Sequence, residues 1–179
     1  LFAEAVDKPV LVITGSNGKS TVTSLLGEMI LADGKKLGLG GNIGVAALDL
    51  LEQDADFYVL ELSSFQLETT QSLKPAVATV LNVTEDHMDR YDDLADYQQT
   101  KKSIYRNATF CLSNRDDVLT RHAGNDVQFS LSDATADYHV IESGGNKALA
   151  VKGEGWIDTL ELRLKGRHNW ANCLAAMAM

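Results

Sequence analysis

Short apolar runs alternate with helix-like segments along the first part of the chain. Val10 to Thr14 is a compact apolar run, and from Ser20 onward apolar residues recur at positions 22, 25, 26, 29 and 30. An unbroken apolar run indicates a buried strand, whereas recurrence at i, i+3, i+4 and i+7 indicates a helix with one buried face. The pattern therefore predicts a strand followed by an amphipathic helix that stops at Gly34.

The same alternation continues further along the chain. It predicts strands at 35–39, 57–62, 76–83 and 109–112, and helices at 45–51, 94–106 and 168–179. Strands separated by helices form parallel βαβ units. The predicted fold class is therefore α/β, with a mostly parallel central sheet flanked by helices. Shorter alternating runs at 138–141, 148–151 and 159–164 predict a small antiparallel β subregion.

Composition narrows the class of protein. The chain has 179 residues, 45% of them hydrophobic, which suits a single folded domain. Its net charge of −9 argues against nucleic acid or an anionic membrane as a partner, since both require a basic face. No apolar run is long enough to span a bilayer, and no signal peptide is visible. Cys111 and Cys173 lie far apart along the sequence, which indicates a reducing compartment, so we expect a cytoplasmic protein. The start at Leu1 and the stop within an Ala-rich helical pattern suggest a piece of a longer chain.

The segment from Thr14 to Thr21, TGSNGKST, predicts a phosphate-binding loop. Glycines let backbone N–H groups approach phosphate oxygens, and a following helix N-terminus adds partial positive charge. Lys19 can reach the β- and γ-phosphates, and the hydroxyl of Ser20 can bind Mg²⁺. The motif is a variant, because Ile13 stands where the general pattern has its first glycine. The alternative is an ordinary glycine-rich turn.

Two further side chains are expected at the same sheet edge. Glu61 ends one apolar strand, and His87 follows another. Ligands of open α/β sheets bind at the carboxyl ends of the strands. Glu61 is therefore interpreted as a Mg²⁺ ligand, directly or through water, rather than a solvated strand-end carboxylate. For His87, a metal or substrate ligand and a loop histidine bonded to backbone remain equally open.

Periodicity leaves two more features open. Lys101 lies on the apolar stripe of its predicted helix, whereas Lys102 falls on the opposite face. Burying a charged lysine costs free energy unless the charge is paired or the amine is neutral. Lys101 therefore either extends its amine to solvent or is a neutral amine that can capture CO₂ as a carbamate. Asn169 and Asn172 share a face of the last predicted helix. Asn169 could cap that helix, which is the favoured interpretation, or both side-chain amides could hydrogen-bond to the edge of a nucleotide base.

Six ordered motifs, taken together, resemble the middle ATPase domain of Mur ligases. They occupy 14–21, 40–44, 60–68, 82–90, 97–101 and 166–172. The string ELSSFQLE at 61–68 is most similar to the branch of the family that adds D-glutamate. The resemblance spans nearly the whole chain and is least informative between 116 and 158.

The resemblance implies an ATP site and two Mg²⁺ sites. Residues implied to bind ATP are Gly15, Ser16, Asn17, Gly18, Lys19, Ser20, Thr21, Val22, Asn169 and Asn172. One Mg²⁺ would be held by Ser20 and Glu61, and the second by His87 and a carbamylated Lys101. Catalytic roles are implied for Lys19, His87 and Lys101, and contacts with the substrate for Asn42, Ser63 and His87.

The implied reaction is amide formation driven by ATP in peptidoglycan synthesis. The carboxylate of UDP-N-acetylmuramoyl-L-alanine would take the γ-phosphate to give an acyl phosphate, which the amine of D-glutamate would then attack. The family's N-terminal UDP-binding and C-terminal domains are not expected within these 179 residues, so the chain alone is expected to be inactive. Alternatives are the middle domain of another Mur-type or folylpolyglutamate synthetase-like ligase, and a non-catalytic nucleotide-binding module.

Overall fold

Nine strands form one sheet in the computed structural model, which describes residues 1–86, 88–124 and 126–179. The strands are β1 Val10–Thr14, β2 Leu37–Gly41, β3 Phe57–Glu61, β4 Val77–Val80, β5 Phe110–Asn114, β6 Val127–Ser130, β7 Tyr138–Ser143, β8 Asn146–Val151 and β9 Glu154–Asp158. Their order across the sheet is β2-β3-β1-β4-β5-β6-β7-β8-β9.

The direction of the strands confirms the predicted α/β class. Neighbouring strands from β2 across to β7 pair in parallel, and β7, β8 and β9 pair antiparallel. One local prediction is wrong. The run 159–164 forms turns instead of a strand, since the third antiparallel strand is β9 at Glu154–Asp158. The strand β6 was not predicted, and it pairs in parallel with both β5 and β7.

Helices flank the sheet. They are α1 Phe2–Ala5, α2 Lys19–Ala32, α3 Ala47–Leu50, α4 Ser64–Glu68, α5 Leu94–Lys102 and α6 Arg167–Ala178, with short 3₁₀ turns at Ser103–Tyr105 and Val118–Thr120. The helix α2 ends at the predicted signal, because Gly34 adopts a left-handed φ of 78° just after its C-cap. In the described part of the chain, no helix combines the length and the apolar character needed to cross a bilayer.

The sheet separates two hydrophobic clusters, and β1 contributes to both. Val10 and Val12 belong to the cluster that contains Tyr97 of α5, and Leu11 and Ile13 belong to the one beside α2 and α6. Alternate side chains of a strand point to opposite faces, so both faces of β1 are covered. This explains the unbroken apolar run of β1, and it fixes the strand from which the predicted phosphate loop begins.

Candidate functional site

The predicted phosphate loop joins β1 to α2 and is held in shape by the segment after β4. The carboxamide of Asn82 pairs with the backbone of Asn17: Asn17 N donates to Asn82 Oδ1 at 2.8 Å, and Asn82 Nδ2 donates to Asn17 O at 2.9 Å. Beside this pair, the hydroxyl of Ser16 donates to Thr84 O and accepts from Thr84 N, both at 3.0 Å. The loop is therefore clamped to the neighbouring strand end by protein contacts alone.

The start of α2 leaves backbone donors available to an anion. Its N-cap is Gly18, with a left-handed φ of 83° and no side-chain cap. The first N–H groups of a helix lack intrahelical partners and carry partial positive charge, which suits phosphate oxygens. Lys19 lies over the same loop, where its Nζ donates to Gly15 O at 2.9 Å and to Ser16 O at 3.1 Å. Positive charge is thus concentrated at the end of β1.

A buried carboxylate lies next to this loop. Glu61, at the end of β3, is only 1% exposed. Its Oε2 accepts from Ser20 Oγ at 2.8 Å, and its Oε1 accepts from Asn42 Nδ2 at 2.9 Å. Adjacent ligands of an octahedral Mg²⁺ lie about 2.9 Å apart, so the separation of the Ser20 and Glu61 oxygens fits that ion. Asn42, predicted to contact substrate, here orients this carboxylate.

Lys101 is the buried lysine of α5. Its side chain is 1% exposed, whereas Lys102 is half-buried. Lys101 Nζ donates to Gly15 O at 3.0 Å and lies 4.5 Å from the centroid of the Tyr97 ring. Burial, together with the nearby charge of Lys19, lowers the pKa of Lys101 to about 8, against a smaller opposing effect of Asp86. Extension of the amine to solvent is therefore excluded, and two lysines share one loop carbonyl.

The asparagine pair of α6 borders a cleft beside the loop. Because Gly166 is the N-cap of α6, Asn169 lies inside the helix, and the capping interpretation is wrong. Asn172 Nδ2 donates to Asn169 Oδ1 at 3.2 Å. The cleft has a volume of about 480 Å³. Residues that line it are Asn17, Gly18, Thr21, Leu81, Asn82, Asn114, Phe129, Leu164, His168, Asn169, Ala171 and Asn172.

Two predicted site residues, Ser63 and Val22, have other surroundings. Ser63 is the N-cap of α4, and it forms a capping box with Gln66 in which Gln66 N donates to Ser63 Oγ at 3.3 Å. The side chain of Val22 is buried in the core beneath α2, and its N–H donates to Gly18 O. His87, predicted as a metal and substrate ligand, lies outside the described residues.

Several cleft residues were not identified from the sequence. Asn82 and Asn114 follow or end parallel strands, so their polar side chains at the carboxyl edge were a usable signal. Phe129 and His168 gave no sequence signal for the cleft, because apolar strand residues and histidines near helix starts occur in many proteins where they bind no ligand. Their position in the cleft depends on how β6 and α6 pack.

A comparison with protein families matches the model described as "Mur ligase middle domain" to residues 13–179. Among curated relatives, the UDP-N-acetylmuramoylalanine--D-glutamate ligase of Haemophilus influenzae (strain 86-028NP) is 54% identical over the whole chain. The ligase of the same name from Pasteurella multocida (strain Pm70) is 52% identical, again over the whole chain. The chain spans 42% and 41% of the lengths of these two relatives.

Solved structures share the fold at lower identity. The structure of a UDP-N-acetylmuramoyl-L-alanyl-D-glutamate--2,6-diaminopimelate ligase has a TM-score of 0.79 at 22% identity, covering 95% of this chain and 42% of that one. The structure titled "E.coli FolC in complex with DHPP and ADP" has a TM-score of 0.72 at 16% identity, covering 99% of this chain and 53% of that one. At these identities the likeness concerns the fold alone.

Replacing Asn82 should weaken nucleotide binding without unfolding the chain. Asn82→Ala removes both hydrogen bonds to the Asn17 backbone and frees the loop, and we expect ATP affinity in the presence of Mg²⁺ to fall by about tenfold. Isothermal titration calorimetry measures this directly. Asn107→Ala is the matched control, since Asn107 bonds only to Gln71 O and Leu73 O in the described structure. Equal affinity for ATP in both variants would contradict the clamp.

Replacing Lys101 should increase stability near neutral pH. Its pKa falls from the ordinary 10.5 to about 8 on folding. Below pH 8 the amine is protonated in both states, and its buried charge destabilises the folded state relative to the unfolded one. In CO₂-free buffer at pH 7, Lys101→Met should raise the free energy of unfolding by about 3 kcal/mol. The difference should shrink as pH rises from 8 to 10.5, because the native amine then loses its proton first. Urea denaturation tests this, with Lys102→Met as a control near zero; a gain independent of pH would refute the cause.

Proposed function

The chain belongs to the Mur ligase family, and from this we propose that it is the ATP-binding middle domain of a UDP-N-acetylmuramoyl-L-alanine:D-glutamate ligase. The relatives that carry this name are 52–54% identical over the whole chain. We further propose that the full-length ligase has a UDP-binding domain before this one and another domain after it that helps to bind D-glutamate. We propose the cytoplasm as the site of the reaction.

The observation that carries the proposal is the buried amine of Lys101 beside the phosphate loop. A module that only binds nucleotide needs the loop, Lys19 and a metal ligand. It does not need a second lysine, 1% exposed, on the same loop carbonyl. A buried amine with a lowered pKa is partly neutral near pH 8 and therefore reactive. This favours a catalytic role over simple binding.

ATP would bind with its phosphates on the loop and its base in the cleft next to α6. The uncapped N–H groups at the start of α2 and the amine of Lys19 would neutralise the phosphate charge. Asn169 and Asn172 would offer amide groups to the edge of the adenine. These contacts position the γ-phosphate, and positioning with charge neutralisation supplies most of the catalysis in phosphoryl transfer.

Two Mg²⁺ sites are part of the proposal. Ser20 and Glu61 supply two oxygen atoms whose separation of 2.8 Å suits adjacent ligands of Mg²⁺. Lys101 as an amine has no oxygen to offer, but a carbamate on its Nζ would present two, with His87 as the second ligand of that site. When bound, Mg²⁺ neutralises charge on the transferring phosphoryl group.

The chemistry proceeds in two balanced steps. The alanyl carboxylate of UDP-N-acetylmuramoyl-L-alanine attacks the γ-phosphorus, the bond to the bridging oxygen breaks, and ADP leaves. The D-glutamate amine then attacks the acyl phosphate, losing a proton as inorganic phosphate departs. Asn42 contributes by orienting Glu61, and Ser63, as the N-cap of α4, fixes the segment that follows Glu61. Both residues would thus act at the side of the site that faces the sugar peptide.

Dependence on both substrates tests the proposal. The full-length ligase should release phosphate from ATP at a sustained rate only when UDP-N-acetylmuramoyl-L-alanine and D-glutamate are both present. Lys19→Ala should lower that rate at least about 1000-fold, because it removes charge stabilisation at the transferred group. A colorimetric phosphate assay with each substrate omitted in turn is sufficient. Turnover with a folate substrate, or binding of ATP without turnover under any condition, would contradict the proposal.

Chemical rescue tests the carbamate. Lys101→Ala should lose most ligase activity, and acetate or another short carboxylic acid should restore part of it by supplying the two missing oxygens. Lys102→Ala serves as the control, and it should retain activity and show no response to acetate. Absence of rescue together with an unmodified Lys101 in the active enzyme, measured by ¹³CO₂ labelling, would reject the carbamate.

A further inference from the structure

A cysteine, a histidine and an aspartate converge outside the cleft that lies beside α6. They are Cys111 near the start of β5, His122 in the connection to β6, and Asp126 immediately before β6. One ligand atom from each lies within 4.8 Å of the other two. Asn114, which lines the cleft, ends β5 three residues after Cys111, a rise of about 10 Å along the strand. The cluster is therefore at the amino end of the strands.

The separation of the histidine and the aspartate suits two ligands of one metal. His122 Nδ1 lies 3.2 Å from Asp126 Oδ1, a hydrogen bond that a bound cation would replace. In a tetrahedral zinc site, with bonds of about 2.0–2.1 Å to nitrogen and oxygen, such ligand atoms lie about 3.4 Å apart. The Asp126 side chain is only 4% exposed, while the His122 side chain is 37% exposed. The carboxylate is thus fixed inside, and the imidazole leaves one side open to solvent.

We propose that Cys111, His122 and Asp126 form a binding site for a zinc-class divalent cation, with three protein ligands and a fourth position open to water. On binding, the S–H bond of Cys111 breaks, its proton passes to solvent, and the thiolate sulfur bonds to the metal. The neutral His122 ring carries its proton on Nε2, so that the lone pair of Nδ1 faces the metal in place of the hydrogen bond to Asp126 Oδ1. The site is separate from the Mg²⁺ sites of the proposed ligase reaction, and it does not depend on that function.

The donor atoms determine the class of ion. A thiolate and an imidazole are typical ligands of Zn²⁺ and Co²⁺, whereas Mg²⁺ prefers carboxylate, carbonyl and water oxygens. Of the three described ligands, Asp126 alone offers an oxygen atom. Three protein ligands with an open position are the arrangement of zinc sites that keep a water molecule.

The surroundings of the cluster are already ordered for such a site. Asp126 Oδ2 accepts from the backbone N of His122 at 3.1 Å, which closes the connecting loop. The ring of Tyr105 packs against the His122 ring, with centroids 5.2 Å apart. Tyr105 is itself anchored, because its hydroxyl accepts from Val80 N at 2.9 Å and donates to Leu112 O at 2.8 Å. The imidazole therefore rests on a fixed part of the core, as ligands in metal sites commonly do.

The same three residue types could also form a nucleophile, base and acid. Burial, helped by the charge of Asp126, raises the pKa of the Cys111 thiol to about 11. A cysteine nucleophile requires the opposite shift, because the thiolate is the reactive form. A bound cation removes this obstacle by replacing the proton. The cluster is therefore better suited to hold a metal than to attack a substrate.

Cobalt titration of the reduced chain tests the site. Co²⁺ bound to a thiolate gives a charge-transfer absorption in the near ultraviolet, and its intensity reports on cysteine alone. With excess Mg²⁺ present to fill oxygen sites, we expect the band to saturate at one Co²⁺ per chain and to disappear when Zn²⁺ is added. Cys111→Ser should abolish the band, and it should weaken Zn²⁺ affinity by about 100-fold or more, measured by competition with a chromophoric chelator.

Matched variants make the result decisive. Cys173→Ser should leave the band unchanged, because Cys173 lies in α6 within the opposite cluster of the core. His122→Gln and Asp126→Asn change only the connecting loop, so they test the site even if Cys111→Ser fails to fold; each should weaken Co²⁺ binding by about 10-fold or more. Absence of the band in the folded chain, a band that survives in Cys111→Ser, or one that depends on Cys173 would overturn the proposal.

Discussion

Parallel hydrogen bonding between β1, β3 and β2 fixes the position of the buried Glu61 carboxylate beside the predicted phosphate loop. Glu61 pairs with Ile13 on one side and with Gly41 on the other. This register brings the end of β3 level with the end of β1 and sets Asn42 beside it. A shift of one residue would turn Glu61 to the opposite face of the sheet, away from Ser20. The buried carboxylate, the loop and the amide that orients it therefore depend on one strand register.

Hydrophobic patterns in the sequence correctly predicted the elements whose faces are each either buried or exposed. The strand β1 is covered on both faces and α2 on one, so their periods are unambiguous. The pattern failed at 159–164, where alternating apolar residues suggested a strand. There Leu160 N donates to Asp158 Oδ1 and Glu161 N to Asp158 O, so local hydrogen bonds close a turn. Hydrophobic periodicity gives no information on whether a segment forms such local hydrogen bonds instead of pairing as a strand.

Site residues could be predicted where residue types that bind phosphate or metal occur at the carboxyl end of a predicted strand. Glycines, Lys19 and Glu61 lie at the carboxyl ends of parallel strands, and Lys101 lies on an apolar stripe. The partners of these side chains were not predictable, because they come from distant parts of the chain. The shared carbonyl of Gly15 illustrates this, since the amines of Lys19 and Lys101 reach it from two different helices. Only the packing of α5 against the loop brings them together.

Gly18 does more than begin α2. A Cβ placed on it would lie 2.5 Å from Asn172 Oδ1, so the loop backbone is in direct contact with a side chain of α6. Steric contact of this kind is insensitive to ionic strength, unlike the attraction between lysines and phosphate. In the arrangement of ATP proposed above, this contact would link the phosphate end of the nucleotide to the base end. A displacement of α6 toward the loop would therefore meet steric resistance from the Gly18 backbone at any ionic strength.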